Sequence, residues 1–415
     1  MPPSFRALTA QWPKRSAEAC LLGMALASTI SFTTWRLMLD NFVVTMGGFG
    51  GEQIGMLQSI REVPGLLSFL SIFVLFLMKE RTLALLSLAL LGIGVAITGY
   101  FPTFLGLCIT TSVMSIGFHF FEAMNMSLTL QWLPKGTMPI VSGRIMAASS
   151  FTALLIYVAV FSAQTLFEVS FLTLYAVAGM ITVFLVALVW KYSQGASGSA
   201  LKRPRLILRR RYWLFYALTF MGGARRQIFV VFGGFMMVSI FGVDLSHMAL
   251  IYFSSHLATM FLAPRIGTLI SVFGERLALR LEYGGLIVIF SGYAFVALRG
   301  PHPYEIGGLQ IEAWWLCALF FVLDHLFFSF SVAIKSYFQR IAAAEDIPAT
   351  ASISFSINHI AAVVLPAALG SLYAIAPHAV FLVGMAMAMV SLLLASNVPR
   401  HPSPGAEVCW PRTRV

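Results

Sequence analysis

Residues Phe104–Trp132 read FLGLCITTSVMSIGFHFFEAMNMSLTLQW, 29 positions with one carboxylate, one histidine and no lysine or arginine. As a helix rising 1.5 Å per residue the stretch reaches roughly 40 Å, more than the roughly 30 Å of hydrocarbon in a bilayer. It is mostly apolar, as lipid requires of a spanning helix.

The same reading recurs outward in both directions. Twelve candidate spans emerge: Glu18–Met46, Gln53–Met78, Thr82–Gly99, Phe104–Trp132, Ile140–Ala163, Phe167–Trp190, Tyr212–Gly242, Met248–Ile270, Tyr283–Leu298, Ile311–Phe338, Thr350–Ala374 and His378–Ala395. The composition agrees, being 59% hydrophobic and 10% charged with a mean hydropathy of +0.86. That combination excludes a water-soluble domain, and also disordered, collagen-like and coiled-coil chains. Near the N-terminus, Arg6, Lys14 and Arg15 precede an apolar run containing Ala25-Leu26-Ala27, which resembles a secretory signal. The apolar pattern continues to Met46, so the segment is read as a retained first span.

The net charge of +11 does not mark a nucleic-acid binder, because the basic residues occupy short gaps between apolar segments. With both termini cytoplasmic, the outer loops hold only Arg299 and every other non-buried lysine or arginine falls inside. Lys191–Arg211, Gly/Ser-rich and then basic, lies at the midpoint and reads as a solvated linker near anionic lipid. The expected architecture is an all-α integral membrane protein of two pseudo-symmetric six-helix bundles, 1–190 and 212–396, joined by the linker 191–211. A cytoplasmic tail, 397–415, follows. Cys20, Cys108, Cys317 and Cys409 show no metal or redox spacing, so no disulfide or zinc site is expected.

The halves echo one another. Glu80-Arg81-Thr-Leu-Ala-Leu after the second span matches Glu275-Arg276-Leu-Ala-Leu after the eighth, and His119 with Phe120-Phe121 matches His325 with Phe327-Phe328. Twelve spans, a central basic loop and Gly267-Thr-Leu-Ile-Ser-Val-Phe-Gly-Glu-Arg276 together resemble the major facilitator superfamily. The last stretch is similar to that family's signature loop, with Ser271 and Val272 where an Asp and a basic residue are usual. The first-half copy, near Leu75–Arg81, keeps Lys79-Glu80-Arg81. The resemblance implies tandem halves that expose a midplane site to each side in turn.

Ionisable groups inside hydrocarbon are costly and mark candidate sites. Arg36 and Asp40 are four apart in the first span and able to pair, and Arg61-Glu62 precede Pro64-Gly65 in the second. These four either lock the bundle as one buried network or handle substrate and protons. His119, Glu122 and Asn125 share a face of the fourth span; Glu122 is a proton carrier or the partner of a neighbouring arginine. In the seventh span, Gly222-Gly-Ala-Arg225-Arg226-Gln227 offers two adjacent arginines about 100° apart, so only one can face a cavity squarely. If Tyr212–Met221 instead lay along the membrane surface, both would sit at the interface. Asp324-His325 in the tenth span occupy the position of His119, whereas Lys335 snorkels. His256 and Asn358-His359 read as helix-to-helix contacts.

Substrate binding is therefore expected of Arg36, Arg61, Arg225, Arg226, Gln227 and Asn125, and proton coupling of Asp40, Glu62, Glu122, Asp324, His119 and His325. No phosphate loop, nucleophile elbow or zinc-protease helix appears, so no enzyme, cofactor or resident metal is expected, and ATP cannot drive this chain alone. The reading is a monomeric secondary transporter of the bacterial inner membrane that moves a small anionic organic solute with protons. The alternatives are an exporter of lipophilic compounds, using the Phe- and Met-rich interior, and a non-transporting member that binds lipid or assists membrane assembly.

Overall fold

The computed structural model describes residues 17–133, 138–192, 208–306, 309–343 and 346–409. The chain is predominantly helical. Ten helices among the described residues are long and apolar enough to cross a membrane. In chain order, the first elements are α1 Ala17–Thr45, α2 Gly51–Leu66, the single turn α3 Ser71–Val74, α4 Glu80–Thr98, α5 Phe104–Trp132, α6 Met138–Phe167 and α7 Phe171–Tyr192. Then come α8 Trp213–Ile228, α9 Gly234–Ser239, α10 Leu245–Phe273, α11 Glu275–Arg299, α12 Trp314–Phe328, α13 Val332–Ile341, α14 Ile347–Ile375 and α15 Pro377–Ser396.

Three expected spans are helical but interrupted, one of them Ile311–Phe338, where a 3₁₀ turn, Ser329–Ser331, separates α12 from α13. Gln53–Met78 breaks after α2, where Pro64 lacks the N–H that would close a turn and Gly65 adds freedom; a 3₁₀ turn, Ser68–Leu70, leads into α3. Tyr212–Gly242 contains a π-helical turn, Phe229–Gly233, between α8 and α9. Such turns are rare and concentrate at functional positions. The all-α expectation also needs one correction. The loop Gly300–Gln310 carries part of an antiparallel hairpin, β1 Tyr304–Ile306 with β2 Leu309–Ile311.

By density of internal contact the chain forms two compact units, the described residues of Met1–Leu39 with Leu67–Arg203, and those of Asp40–Leu66 with Pro204–Val415. The division drawn from sequence places residues 40–66 in the first bundle, whereas their contacts group them with the second.

In the first unit, α4 packs closely on α5 and α7. Glycine permits the approach: a Cβ on Gly117 would lie 2.4 Å from Leu91 N, and one on Gly94 2.6 Å from Met114 N. Ser31 of α1 donates to Thr182 of α7 at 2.8 Å, and Thr182 donates to Ala27 O at 3.0 Å. In the second unit, α2 lies along α14, α8 also packs on α14, and α11 on α15.

Glu80 and Glu275 each open a helix. Glu80 accepts from Ser127 Oγ at 3.2 Å and from Gln131 Nε2. Glu275 accepts from Ser336 Oγ at 2.7 Å and pairs with Arg340 Nε at 2.6 Å. The sequence echo is thus a repeated contact. The stretch resembling a signature loop is mostly helix, however: α10 runs to Phe273, and only Gly274, at φ +84°, joins it to α11. That positive φ is the left-handed region that glycine enters freely.

Residues 193–207 of the linker Lys191–Arg211 lie outside the described residues, as do residues 1–16 and 410–415. Two arginines at the linker's end are not simply solvated. Arg209 Nε and Arg211 Nη2 reach the Asp346 carboxylate at 3.1 and 2.8 Å, and Tyr212 OH donates to it at 2.9 Å. Burial opposes ionisation of Asp346, but the hydrogen bonds from Arg211, Tyr212 and Arg209 outweigh it and hold the carboxyl below its ordinary value. The tail also folds back: Tyr337 OH donates to Glu407 O at 2.5 Å, and Val398 is fully buried.

Candidate functional site

In the first unit, α5 carries His119, Glu122 and Asn125 on one face. His119 is buried, Asn125 half-buried and Glu122 exposed. Among the described residues Glu122 has neither a hydrogen bond nor an ion pair. A carboxylate exposed within a spanning segment needs water or a partner, because hydrocarbon repels it. Arg36 of α1 is half-buried in the same unit.

The second unit gathers the remaining candidates. Asp40 is buried with Oδ2 tight against Gly234, where a Cβ would sit 2.5 Å away. Its neighbour Asn41 donates Nδ2 to Val243 O at 2.8 Å. On α2, Arg61 pairs with Glu62, and the other Glu62 oxygen meets His359 Nδ1 of α14 at 3.0 Å. His359 therefore does bond helix to helix, and its partner is one of the proposed proton carriers.

The two adjacent arginines of α8 part company, as their angular spacing requires. Arg225 turns inward to Glu282 of α11, Nη2 to Oε1 2.8 Å, with both side chains buried. Its guanidinium also lies 4.9 Å from the Tyr283 ring centre. Arg226 remains exposed and stacks over Phe328 at 4.7 Å. Both arginines line a cavity of about 10 Å³, room for about one water, together with Asp324, Leu286, Phe290 and Phe328. Arg225 Nη1, Glu282 Oε2 and Gln227 Oε1 are buried without a hydrogen-bond partner among the described residues.

His325 points away from its neighbour Asp324 into an aromatic cluster. Its ring centre lies 4.9 Å from Phe321, 5.2 Å from Phe229 and 6.3 Å from both Tyr252 and His256, and Nδ1 sits 3.3 Å from Phe321 O. Phe229 opens the π-helical turn, so that irregularity sets one wall of the cluster.

The structure thus brings together Arg225, Arg226 and Asp324, and separately Arg61 with Glu62. Sequence reasoning missed Glu282. The ninth span was started at Tyr283, with Arg276, Arg280 and Glu282 left outside it, whereas α11 starts at Glu275 and carries Glu282 two turns inside. Among the described residues, no three His, Cys, Asp or Glu side chains are placed to hold a metal ion.

No protein-family model matches the sequence, and no curated protein matches it. Solved structures do match the fold. A nucleoside transporter, NupG, superposes with a TM-score of 0.70 at 14% identity, over 92% of this chain and 99% of that one. A bacterial homologue of the iron transporter ferroportin, inward-facing, gives 0.66 at 13%, over 91% and 97%. A bacterial homologue of the human lysosomal transporter Spinster, inward-facing and occupied, gives 0.64 at 10%, over 95% and 97%. These likenesses show a shared fold along nearly the whole chain.

Proposed function

We propose that the chain is a secondary transporter working by alternating access, which moves a small organic anion together with protons. One observation carries the reading. Arg226, exposed within a spanning segment, shares a small cavity with Asp324, while the other arginine of that cavity already has Glu282. Arg225 has Glu282 as its ion-pair partner, and Asp324 is the carboxylate lining the cavity beside Arg226. Protonation of Asp324 lowers the negative charge facing the arginines, and an incoming anion takes its place. Release of the proton restores the balance and expels the anion, so the two travel together. Leu286, Phe290 and Phe328 beside the arginine suit an anionic group carried on an apolar body. The folds matched above, a nucleoside transporter and a homologue of an iron transporter among them, support transport without fixing the solute.

The reading places the chain in a bacterial inner membrane as a monomer with twelve spans, three of them interrupted, and both termini cytoplasmic. The arginine and lysine asymmetry of the loops supports this orientation.

Uptake of labelled organic carboxylates and phosphates into proteoliposomes, with and without an inward proton gradient, tests the mechanism. The expected result is gradient-stimulated uptake that R226A lowers at least tenfold. D324N should abolish stimulation while sparing exchange. Uptake indifferent to the gradient and to R226A would overturn the proposal. Efflux of lipophilic dyes in place of anion uptake would instead establish the exporter reading, which rests on the same apolar walls.

A further inference from the structure

The first unit carries an open groove of about 450 Å³ along the paired faces of α4 and α7. Every residue lining it is apolar, among them Ile93, Ala96, Met180, Phe184 and Ala187. The two helices meet through glycine: a Cβ on Gly179 would lie 2.3 Å from Gly92 O and 2.5 Å from Ala96 N. With no side chain between them at the crossing, the backbones approach closely and the lipid-facing side of the pair is left hollow. Ala96 and Ala187 fill little of the hollow, whereas Ile93, Met180 and Phe184 stand out at 47%, 59% and 62% exposed.

One end of the groove is basic. On α7, Met180, Phe184, Ala187 and Lys191 recur at helical spacing, which puts the lysine at the foot of the apolar row. On α4, Ile93 and Leu86 are seven residues apart, and the same step back reaches Lys79, just before the helix. Lys79 and Lys191 are exposed, and neither has an ion-pair partner among the described residues. Arg81 fastens the two helix ends together, its Nη2 donating to Trp190 O at 2.9 Å. Glu80, the carboxylate between these cations in sequence, is turned to Ser127 and Gln131 of α5. Trp190 and Tyr192 are exposed beside Lys191, as aromatic residues are where hydrocarbon gives way to headgroups.

The dimensions fit one lipid. Along α7, Ala187 lies about 6 Å beyond Lys191 and Met180 about 16 Å. One leaflet supplies about 15 Å of hydrocarbon, so the apolar row spans the depth of an acyl chain while the lysine stays level with the headgroups. Any acyl chain suits the groove, but only a negative headgroup also uses the lysines, whose long stems reach toward it.

We propose that α4 and α7 form a binding site for an anionic phospholipid, with one acyl chain in the groove and the phosphate between Lys79 and Lys191. The site is built wholly within the first unit and needs no solute, so it stands or falls apart from the transport reading.

The test uses full-length protein in nanodiscs of phosphatidylcholine that contain a trace of phosphatidylglycerol bearing a photoreactive diazirine in one chain. After illumination, the labelled residues are located by mass spectrometry of the digested protein. The expected result is labelling concentrated on residues 93–97 and 180–187, displaced by unlabelled phosphatidylglycerol and not by added phosphatidylcholine. K79Q together with K191Q should lower that labelling about tenfold, as two basic residues near anionic lipid warrant. A187F fills the groove while keeping both lysines and should abolish the labelling as well; the lysine pair, at exposed positions, decides the matter if A187F does not fold. Labelling spread evenly over the lipid-facing helices overturns the site, as does labelling undiminished in the lysine variant or displaced equally by phosphatidylcholine. Displacement by inorganic phosphate also overturns it, since that would mark a site for the free anion.

Discussion

Glu80 and Glu275 open corresponding helices, and each is held by two side chains four residues apart on a later segment. Ser127 and Gln131 hold the first; Ser336 and Arg340 hold the second. One contact is neutral on the donor side and the other is ionic. Burial follows suit, since Glu275 is 1% exposed while Glu80 is only half-buried. The contrast extends through the units. In the second, buried carboxylates meet cations, as in Glu282 with Arg225, Glu62 with Arg61 and His359, and Asp346 with Arg209 and Arg211. In the first, Glu122 has no ion-pair partner among the described residues. The same helical repeat therefore carries two electrostatic designs. A carboxylate paired with a cation becomes a liability once its partner is removed, whereas one bonded by hydroxyl and amide loses less.

The largest effect is expected at Glu282. E282Q strips the ion-pair partner from Arg225, whose side chain is 4% exposed, and leaves a buried guanidinium without its hydrogen-bonded carboxylate. Breaking a buried pair in this way costs about 3–5 kcal/mol. Thermal unfolding in detergent should show the loss as a clear drop in melting temperature. E122Q in the first unit should fall within about 0.5 kcal/mol of the wild type, as an exposed substitution usually does. Equal destabilisation by the two changes would break the comparison.

A smaller effect separates the two clamps themselves. E275A removes the partner of Arg340, but that arginine is 49% exposed and water takes over much of its solvation. The cost is expected at about 1–2 kcal/mol, against about 1 kcal/mol for E80A, which loses neutral hydrogen bonds. The exchange pair is sharper. R340Q should bring the second clamp down toward the first, and Q131R should raise the first. The stability difference between E80A and E275A, each measured in its exchanged background, should then shrink or reverse.

Much of the fold was legible because lipid is an exacting solvent. Phe104–Trp132 is mostly apolar over a length that crosses a bilayer, and α5 has those same bounds. The positions of the breaks were less so. Pro64-Gly65 marked one, but nothing in Phe229–Gly233 signals a π-helical turn, because that choice is made by packing against Phe321 and His325. At the candidate site, the angular spacing of Arg225 and Arg226 showed that they must diverge but not which would turn inward. That depends on Glu282. The rule that places charge outside a span concealed Glu282, since a paired internal carboxylate breaks the pattern used to draw the boundary. Periodicity put Glu62 on a face of α2, yet its partner lies 297 positions along the chain, a distance that local spacing cannot bridge.

The smallest effect is a dependence on pH, and it tests whether the cation-paired design extends beyond the spanning segments. The Asp346 carboxyl is held below its ordinary value by Arg211, Tyr212 and Arg209 against the opposing effect of burial. A depressed folded-state value means that the folded protein keeps Asp346 ionised where the unfolded chain would protonate it. The stabilisation is therefore complete above the ordinary aspartate value of about 4 and fades as pH falls through the lower folded value. D346N removes it at every pH. The gap in stability between wild type and D346N should be constant from pH 8 to about pH 5, then narrow as the medium becomes more acidic. Unfolding in detergent at a series of pH values measures that gap directly. A gap that widens toward acid would mean that Asp346 is favoured in its protonated form, and the anchoring of the linker's arginines to it would have to be abandoned.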